Sequence, residues 1–102
     1  MDMKRLMEQA QQMQKKLKKI EEELNETVYE GKTGGSEGVA VKIKGTNEVI
    51  EISIPDELLA KENKEELQDM LLIAFNSAVD QARTDREEKM GSVTQGISIP
   101  GM

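Results

Sequence analysis

The chain has 102 residues, of which 36% are hydrophobic and 33% are charged, and its formal net charge is −6. This length predicts one domain, and a domain this small buries only about two-thirds of its unfolded surface, so a core shared with a second copy is favourable. The chain contains no cysteine and no histidine. It therefore lacks the common general base, the thiolate nucleophile and the usual zinc ligands. We expect no enzymatic activity, no cofactor, no metal and no small-molecule substrate.

The hydropathy pattern predicts a soluble cytoplasmic protein without a membrane partner. No apolar run approaches the ~20 residues of a membrane span. The first residues lead directly into an amphipathic helix pattern and lack the apolar core of a signal peptide.

The charge is unevenly distributed along the chain. Residues 1–20 carry six bases against two acids, a local net of +4, so the remaining residues carry −10. The six bases are Lys4, Arg5, Lys15, Lys16, Lys18 and Lys19. Because charges are screened beyond about 10 Å at moderate salt, a basic segment on an acidic body still attracts phosphate locally.

The first predicted element is a helix from about Met3 to Asn25. Its apolar residues recur at alternating spacings of four and three, which is the a/d pattern of a heptad repeat. A stripe this narrow suits one facing helix better than a broad core, so we assign it to dimerisation. The stripe consists of Leu6, Ala10, Met13, Leu17, Ile20 and Leu24.

Three short strands are predicted to follow. Residues 27–30 form the first strand, and apolar residues alternate with polar ones over residues 39–44. After a turn, residues 49–54 form the third strand, with Ile50, Ile52 and Ile54 on one face. This succession predicts a three-stranded antiparallel meander.

A second long helix completes the predicted fold. Asn63 and Glu66 form a capping-box pattern at its start, and Gly91 is a natural C-terminal stop. Its apolar face comprises Leu67, Met70, Leu71, Ala74, Phe75, Ala78 and Ala82. The predicted class is α+β with the order α-β-β-β-α. Residues 1–91 form a single domain and residues 92–102 a flexible C-terminal tail.

Three patterns that resemble chemical motifs have simpler explanations. Residues 31–34, Gly-Lys-Thr-Gly, resemble the end of a phosphate-binding loop, but Glu26 stands where that loop needs glycine and a strand follows where it needs a helix. A hairpin turn is the better interpretation. The glutamates at 21–23 point in different directions on a helix and cannot converge on one metal ion. The serines have no histidine to activate them.

The lysines at 15, 16, 18 and 19 precede the acidic end of the first helix, which is the reverse of the order that the helix dipole favours. Local helix stability therefore does not explain them. Besides a plain solvated face, two explanations remain. An antiparallel copy of the helix places these lysines beside its acidic end, or the lysines bind phosphates. In the second helix, Arg83, Arg86 and Lys89 either complement the dipole or form the second half of a phosphate-binding surface.

The sequence offers few other means of binding nucleic acid. The only aromatic residues are Tyr29 and Phe75, which is too few for a stacking platform on single strands. No recognition-helix or zinc-finger motif is present. Contact with the backbone of duplex DNA is the remaining mode.

Four segments of the chain resemble the YbaB/EbfC family. They are Leu-Met-Glu-Gln-Ala-Gln-Gln-Met-Gln at 6–14, Ile-Pro-Asp-Glu-Leu-Leu at 54–59, Ala-Phe-Asn-Ser-Ala at 74–78, and Lys-Met-Gly-Ser-Val-Thr-Gln-Gly at 89–96 leading into Ile-Pro-Gly. The resemblance implies a tweezer-like homodimer with projecting helices that associates with the bacterial nucleoid through DNA. One departure is Glu8, where many family members carry lysine, and it removes positive charge from the implied grip.

We therefore predict a homodimer that binds duplex DNA mainly through phosphates and acts in nucleoid organisation or gene expression. The candidate DNA contacts are Lys4, Arg5, Lys15, Lys16, Lys18, Lys19, Arg83, Arg86 and Lys89. The alternative is a protein–protein adaptor whose heptad helix binds a coiled-coil partner.

Overall fold

The computed structural model describes residues 2–34 and 38–95. The elements are α1 (Met3–Glu26), β1 (Val28–Lys32), β2 (Ala40–Lys44), β3 (Val49–Ser53), two short 3-10 helices (Asp56–Leu59 and Lys61–Asn63) and α2 (Lys64–Gln95). The predicted α+β class and the α-β-β-β-α order are confirmed.

The three strands form an antiparallel sheet in the order β1-β2-β3, which confirms the predicted meander. Ile43 of β2 pairs with Val49, whereas Val41 pairs with Ile52, so the intervening stretch of β3 is one residue longer than that of β2. This β-bulge at Ile50 resets the alternation along the strand. The predicted common face for Ile50 and Ile52 is therefore wrong, because Val49 and Ile52 oppose the two buried residues of β2.

The hydrophobic core lies between α2 and one face of β1 and β2. It contains Tyr29, Val39, Val41, Ile43, Leu58, Ala74, Ala78 and Ala82. The helix approaches β1 closely, because a Cβ atom at Gly31 would overlap the carbonyl oxygen of Ala74. Glycine on the strand and alanines on the helix thus permit backbone contact between the two layers.

The predicted end of α2 at Gly91 is wrong. The helix continues through Gly91 to Gln95, and a Cβ atom built at Gly91 meets nothing within 4 Å. Residues 92–95 are thus helical, and residues 96–102 lie outside the described part of the chain, so the flexible tail stays a prediction. The predicted helix start at Asn63 is close to the observed start at Lys64. The side-chain amide of Asn63 donates to the backbone carbonyl of Glu57 at 2.7 Å.

Candidate nucleic-acid interface

The first helix has a free end and an anchored end. The molecule measures 71 × 25 × 18 Å, and the 24 residues of α1 span about 36 Å of it. Every described residue from 3 to 12 is exposed, whereas Leu24 is only 1% exposed. We call residues 3–19 the arm, and we call the sheet together with α2 the body.

The apolar stripe of α1 follows the same gradient. Leu6 is 46% exposed, and Ala10 is also exposed. The next three residues of the stripe, Met13, Leu17 and Ile20, are half-buried, and α1 contacts α2. Part of the stripe assigned to dimerisation is therefore covered within one chain, and its last residue, Leu24, has almost no surface left for a second copy.

The six bases of the arm are exposed. Among the residues that the structure describes, none of the six forms an ion pair. At about 100° of rotation per residue, five of the six lie on the half of the helix opposite the apolar stripe, and Lys16 lies just beyond the margin of that half. Lys4, Lys15 and Lys19 lie near the centre of that half, beside Glu8. Lys16 and Lys18 lie on opposite flanks, so one ligand cannot contact all six bases.

The bases on the outer face of the sheet are arranged differently. Lys42 lies 3.0 Å from Glu51 and 3.8 Å from Glu30, and Lys32 lies 2.9 Å from Glu30. The hydrogen bond from Lys32 is the main cause that lowers the pKa of Glu30. The hydrogen bond to Glu51 is the main cause that raises the pKa of Lys42. These ion pairs neutralise the charge of this face locally, so the face attracts a phosphate only weakly.

The late bases of α2 already have partners in the same chain. Arg83 pairs with Asp80, one turn earlier on the helix. Lys89 lies 3.2 Å from Asp85, which also accepts a 2.6 Å hydrogen bond from the Tyr29 hydroxyl. That hydrogen bond is the main cause that lowers the pKa of Asp85, and Lys89 adds to it.

Arg86 lies at the junction between the two helices and the sheet. Its Nη2 atom donates to the Asn25 side-chain oxygen at 3.0 Å and to the Gly45 carbonyl at 3.2 Å. Asn25 belongs to the last turn of α1, and Gly45 follows β2 directly. The structure therefore places the three late bases of α2 in separate local networks, and none of them joins the free bases of the arm.

A shallow groove of about 800 Å³ runs along α2 beside β1. Its lining contains three acids, Asp80, Asp85 and Glu88, and no base. Burial is the main cause that raises the pKa of Tyr29, at one wall, from 10.0 to about 12. An acidic lining repels phosphate, so this groove is not part of the interface.

The described residues contain no group of three or more carboxylates placed to hold a metal ion. None of the described helices has the length and apolar character needed to cross a membrane.

The chain matches known proteins over nearly its whole length. The family model described as the YbaB/EbfC DNA-binding family matches residues 1–97. The chain belongs to the YbaB/EbfC family. A nucleoid-associated protein of Chloroflexus aurantiacus is 41% identical over 97 residues, which is 95% of this chain and 96% of that protein. Another, from Alkaliphilus metalliredigens, is 39% identical over 101 residues, covering 99% of this chain and 88% of that protein.

A solved structure supports the same fold. The crystal structure of an uncharacterized protein from Helicobacter pylori superposes with a TM-score of 0.76 at 29% identity. The alignment covers 92% of this chain and 98% of that one. The protomer fold that the YbaB/EbfC resemblance implies is thus confirmed.

This YbaB/EbfC chain also has an exposed apolar surface that the sequence pattern did not reveal. On β3, Val49 and Ile52 are 41% and 53% exposed, because α2 covers only the neighbouring strands. On α2, Leu72 is 62% exposed and Phe75 is 37% exposed. We call these four residues the β3 patch. Helical spacing placed Phe75 on the core face, but its side chain is exposed and is not part of the core.

Proposed function

We propose that the protein is a homodimer that binds duplex DNA through contacts between its arms and the phosphates, and that it associates with the nucleoid. The observation that carries this proposal is the set of six exposed arm bases that have no ion pair among the described residues, five of them on the helix half opposite the apolar stripe. Membership in a DNA-binding family supports it, as do nucleoid-associated relatives. Phosphate contacts carry no sequence information, so low sequence specificity follows.

The bases contribute unequally in this proposal. Lys4, Lys15 and Lys19 lie at the centre of the arm's basic face and make the main phosphate contacts. Arg5, Lys16 and Lys18 flank them and widen the attractive field. Arg83 and Lys89 are exposed and salt-bridged, so binding phosphate costs them an existing partner. They are therefore secondary contacts.

The proposed dimer forms through the β3 patch. β3 is an edge strand with an unpaired ladder of backbone groups, and its apolar side chains are uncovered. A two-fold axis beside an edge strand pairs it with its own copy in antiparallel fashion, and both patches become buried together. Each protomer of this dimer contributes one arm, and the two arms project as a pair around one ligand.

The test is a titration of duplex DNA with the purified protein over a range of salt concentrations. If six phosphates per dimer are contacted, the logarithm of the binding constant falls with that of the salt concentration with a slope of about −5. An affinity that does not change with salt would contradict the phosphate mechanism. Absence of binding even at low salt would mean that the repulsion of DNA by the acidic body outweighs its attraction by the arm bases.

A second function has one observation in its favour. Leu6, the first residue of the apolar stripe, is exposed on the arm, and the neighbouring Met3 and Met7 are exposed as well. An adaptor would use this surface to bind a partner helix, as the heptad spacing predicts. Substituting Leu6 by glutamate separates the two functions, since an adaptor loses its partner and a phosphate-binding arm keeps its basic face.

A further inference from the structure

The junction where α1 meets the body is built from three separate elements. Arg86 of α2 reaches Asn25 in the last turn of α1 and the carbonyl of Gly45 after β2. The amide of Gly45 donates in turn to the carbonyl of Thr27 at 3.0 Å. One guanidinium group therefore connects the end of the arm helix, the β2–β3 turn and the long helix.

The packing around this contact is tight. A Cβ atom at Gly45 would overlap the carbonyl oxygen of Leu24, and Leu24 itself is almost completely buried. The hydroxyl of Thr27 donates to the carbonyl of Glu23 at 2.7 Å, which fixes the last turn of α1. The helix therefore leaves the body at a defined angle, and Arg86 is the side chain that spans the gap on the α2 side.

The chemistry of this contact differs from that of a phosphate ligand. Both acceptors are neutral oxygens, and no carboxylate among the described residues pairs with Arg86. The Nη2 atom of Arg86 carries two N–H groups in the guanidinium plane and donates to two acceptors that belong to different elements. Rotating Arg86 toward DNA would leave both acceptors without this donor.

We propose that Arg86 is a positioning residue for DNA binding, which sets the direction of the arm by holding Asn25 and Gly45 and does not itself bind phosphate. This inference rests on the proposed function. A held arm presents its bases in the geometry that the duplex requires, so less ordering is needed on binding. An arm without this contact samples more directions and binds DNA more weakly, although all its charges remain.

The experiment measures arm direction and DNA affinity separately. The chain has no cysteine, so spin labels can be placed at Gln11→Cys on the arm and Asp69→Cys on the body. Labelled protein is diluted with an excess of unlabelled protein, so that the measured distance lies within one protomer. The distance distribution is recorded for Asn25→Ala, for Arg86→Ala and for the double variant that combines them.

Asn25→Ala is the decisive variant, because it removes the acceptor and leaves every charge in place. Alanine has the higher helix propensity, so α1 is not weakened locally. We expect a broader distance distribution and a loss of DNA affinity of about tenfold, with the salt slope unchanged. Arg86→Ala gives the same broadening, and the double variant is no worse than either single one.

Arg83→Ala is the matched control, since it removes an arginine from the same helix that pairs only with Asp80. It leaves the distance distribution unchanged. The proposal is overturned if Asn25→Ala keeps the wild-type distribution and affinity while Arg86→Ala reduces the salt slope by about one unit per protomer. If the wild-type protein binds no DNA, the proposed function fails, and the distance distributions still decide whether Arg86 holds the arm.

Discussion

The arm and the outer face of the sheet both carry lysines, but among the described residues only the lysines of the sheet have acidic partners. Lys32, Lys42 and Lys44 each lie within 4 Å of a glutamate. The arm bases lie on a helix with the acids concentrated beyond its basic stretch, and no described residue pairs with them. Exposed ion pairs contribute about 0–1 kcal/mol each, so the arrangement on the sheet matters more for its local neutrality than for stability.

The comparison teaches that exposure alone does not identify a phosphate-binding base. An unpaired lysine attracts a phosphate with its full charge. A paired lysine first has to give up its carboxylate partner before it can bind a phosphate. The same distinction separates the arm from Arg83 and Lys89, which pair with Asp80 and Asp85, whereas Arg86 donates to two neutral oxygens. Four changes to the chain test this division between a free arm and a satisfied body.

The largest expected effect is a loss of folding stability in the body, caused by Gly31→Ala. The new methyl group would overlap the backbone of α2 at Ala74, so the two layers have to separate. Overpacking of backbone against backbone costs about 3 kcal/mol or more. Urea unfolding followed by circular dichroism measures this loss.

The matched control is Gly91→Ala, where the added methyl group meets open space. It removes a helix-interior glycine and stabilises the chain by about 0.5–1 kcal/mol. Equal effects of the two substitutions would contradict the close approach at Gly31.

The next effect concerns assembly. Ile52→Glu places a charge in the β3 patch, where the proposed dimer buries it, and burying an unpaired carboxylate costs several kcal/mol. We expect a folded monomer by size-exclusion chromatography with light scattering. Leu6→Glu, on the exposed part of the heptad stripe, keeps the dimer. The opposite result, a dimer with Ile52→Glu and a monomer with Leu6→Glu, would show that the dimer interface lies on the apolar stripe of α1.

A smaller effect is expected when only the arm charges change. The double substitution Lys15→Glu and Lys19→Glu reverses two bases at the centre of the arm's basic face, and DNA affinity falls at least about tenfold at low salt. The control reverses Lys61 and Lys64, which are exposed on the body, and changes the net charge by the same amount. Electrophoretic mobility-shift titrations compare the two. A similar loss in both would mean that total charge, not the arm, sets the affinity.

The smallest effect concerns the hydrogen bond between Tyr29 and Asp85. Tyr29→Phe removes it and costs about 1 kcal/mol, with no effect on the arm bases. In the wild-type protein, folding raises the phenol pKa from 10.0 to about 12, so the folded state keeps its proton longer than the unfolded chain. Stability is therefore constant below pH 10 and falls as the pH rises from about 10 to about 12.

This chain has a single tyrosine, so an ultraviolet absorbance titration follows its ionisation directly. A midpoint near 10 in the folded protein would show that the phenol is neither buried nor held by Asp85. Unfolding of Tyr29→Phe measured in parallel gives the stability difference.

Much of the fold was predictable because local patterns and tertiary packing agree. The alternation of Val39, Val41 and Ile43 predicts a half-buried strand, and all three residues are in the core. The heptad spacing of α1 predicts one facing helix, but spacing cannot tell a second copy from α2 of the same chain. The structure shows contact between α1 and α2, and this tertiary contact accounts for the half-buried middle of the stripe.

The errors occurred where a single residue changes the local geometry. The bulge at Ile50 shifts the alternation of β3, and nothing in the residue types on either side marks it. Gly91 is a common helix terminator, yet the helix passes through it. For the candidate site, the cluster of arm bases was predictable from charge. The partners of Arg86 were not, because Asn25 and Gly45 lie 61 and 41 residues away in sequence.

The position of the single tyrosine makes the two regions optically distinguishable. Tyr29 is 8% exposed in the body, the chain has no tryptophan, and α1 contains no aromatic residue. Tyrosine fluorescence therefore reports on the body alone, whereas far-ultraviolet circular dichroism also counts the helical residues of the arm. In one thermal scan, two coincident curves mean that arm and body melt as a unit. An earlier loss of ellipticity measures how far the exposed turns of α1 fray while the core is still intact.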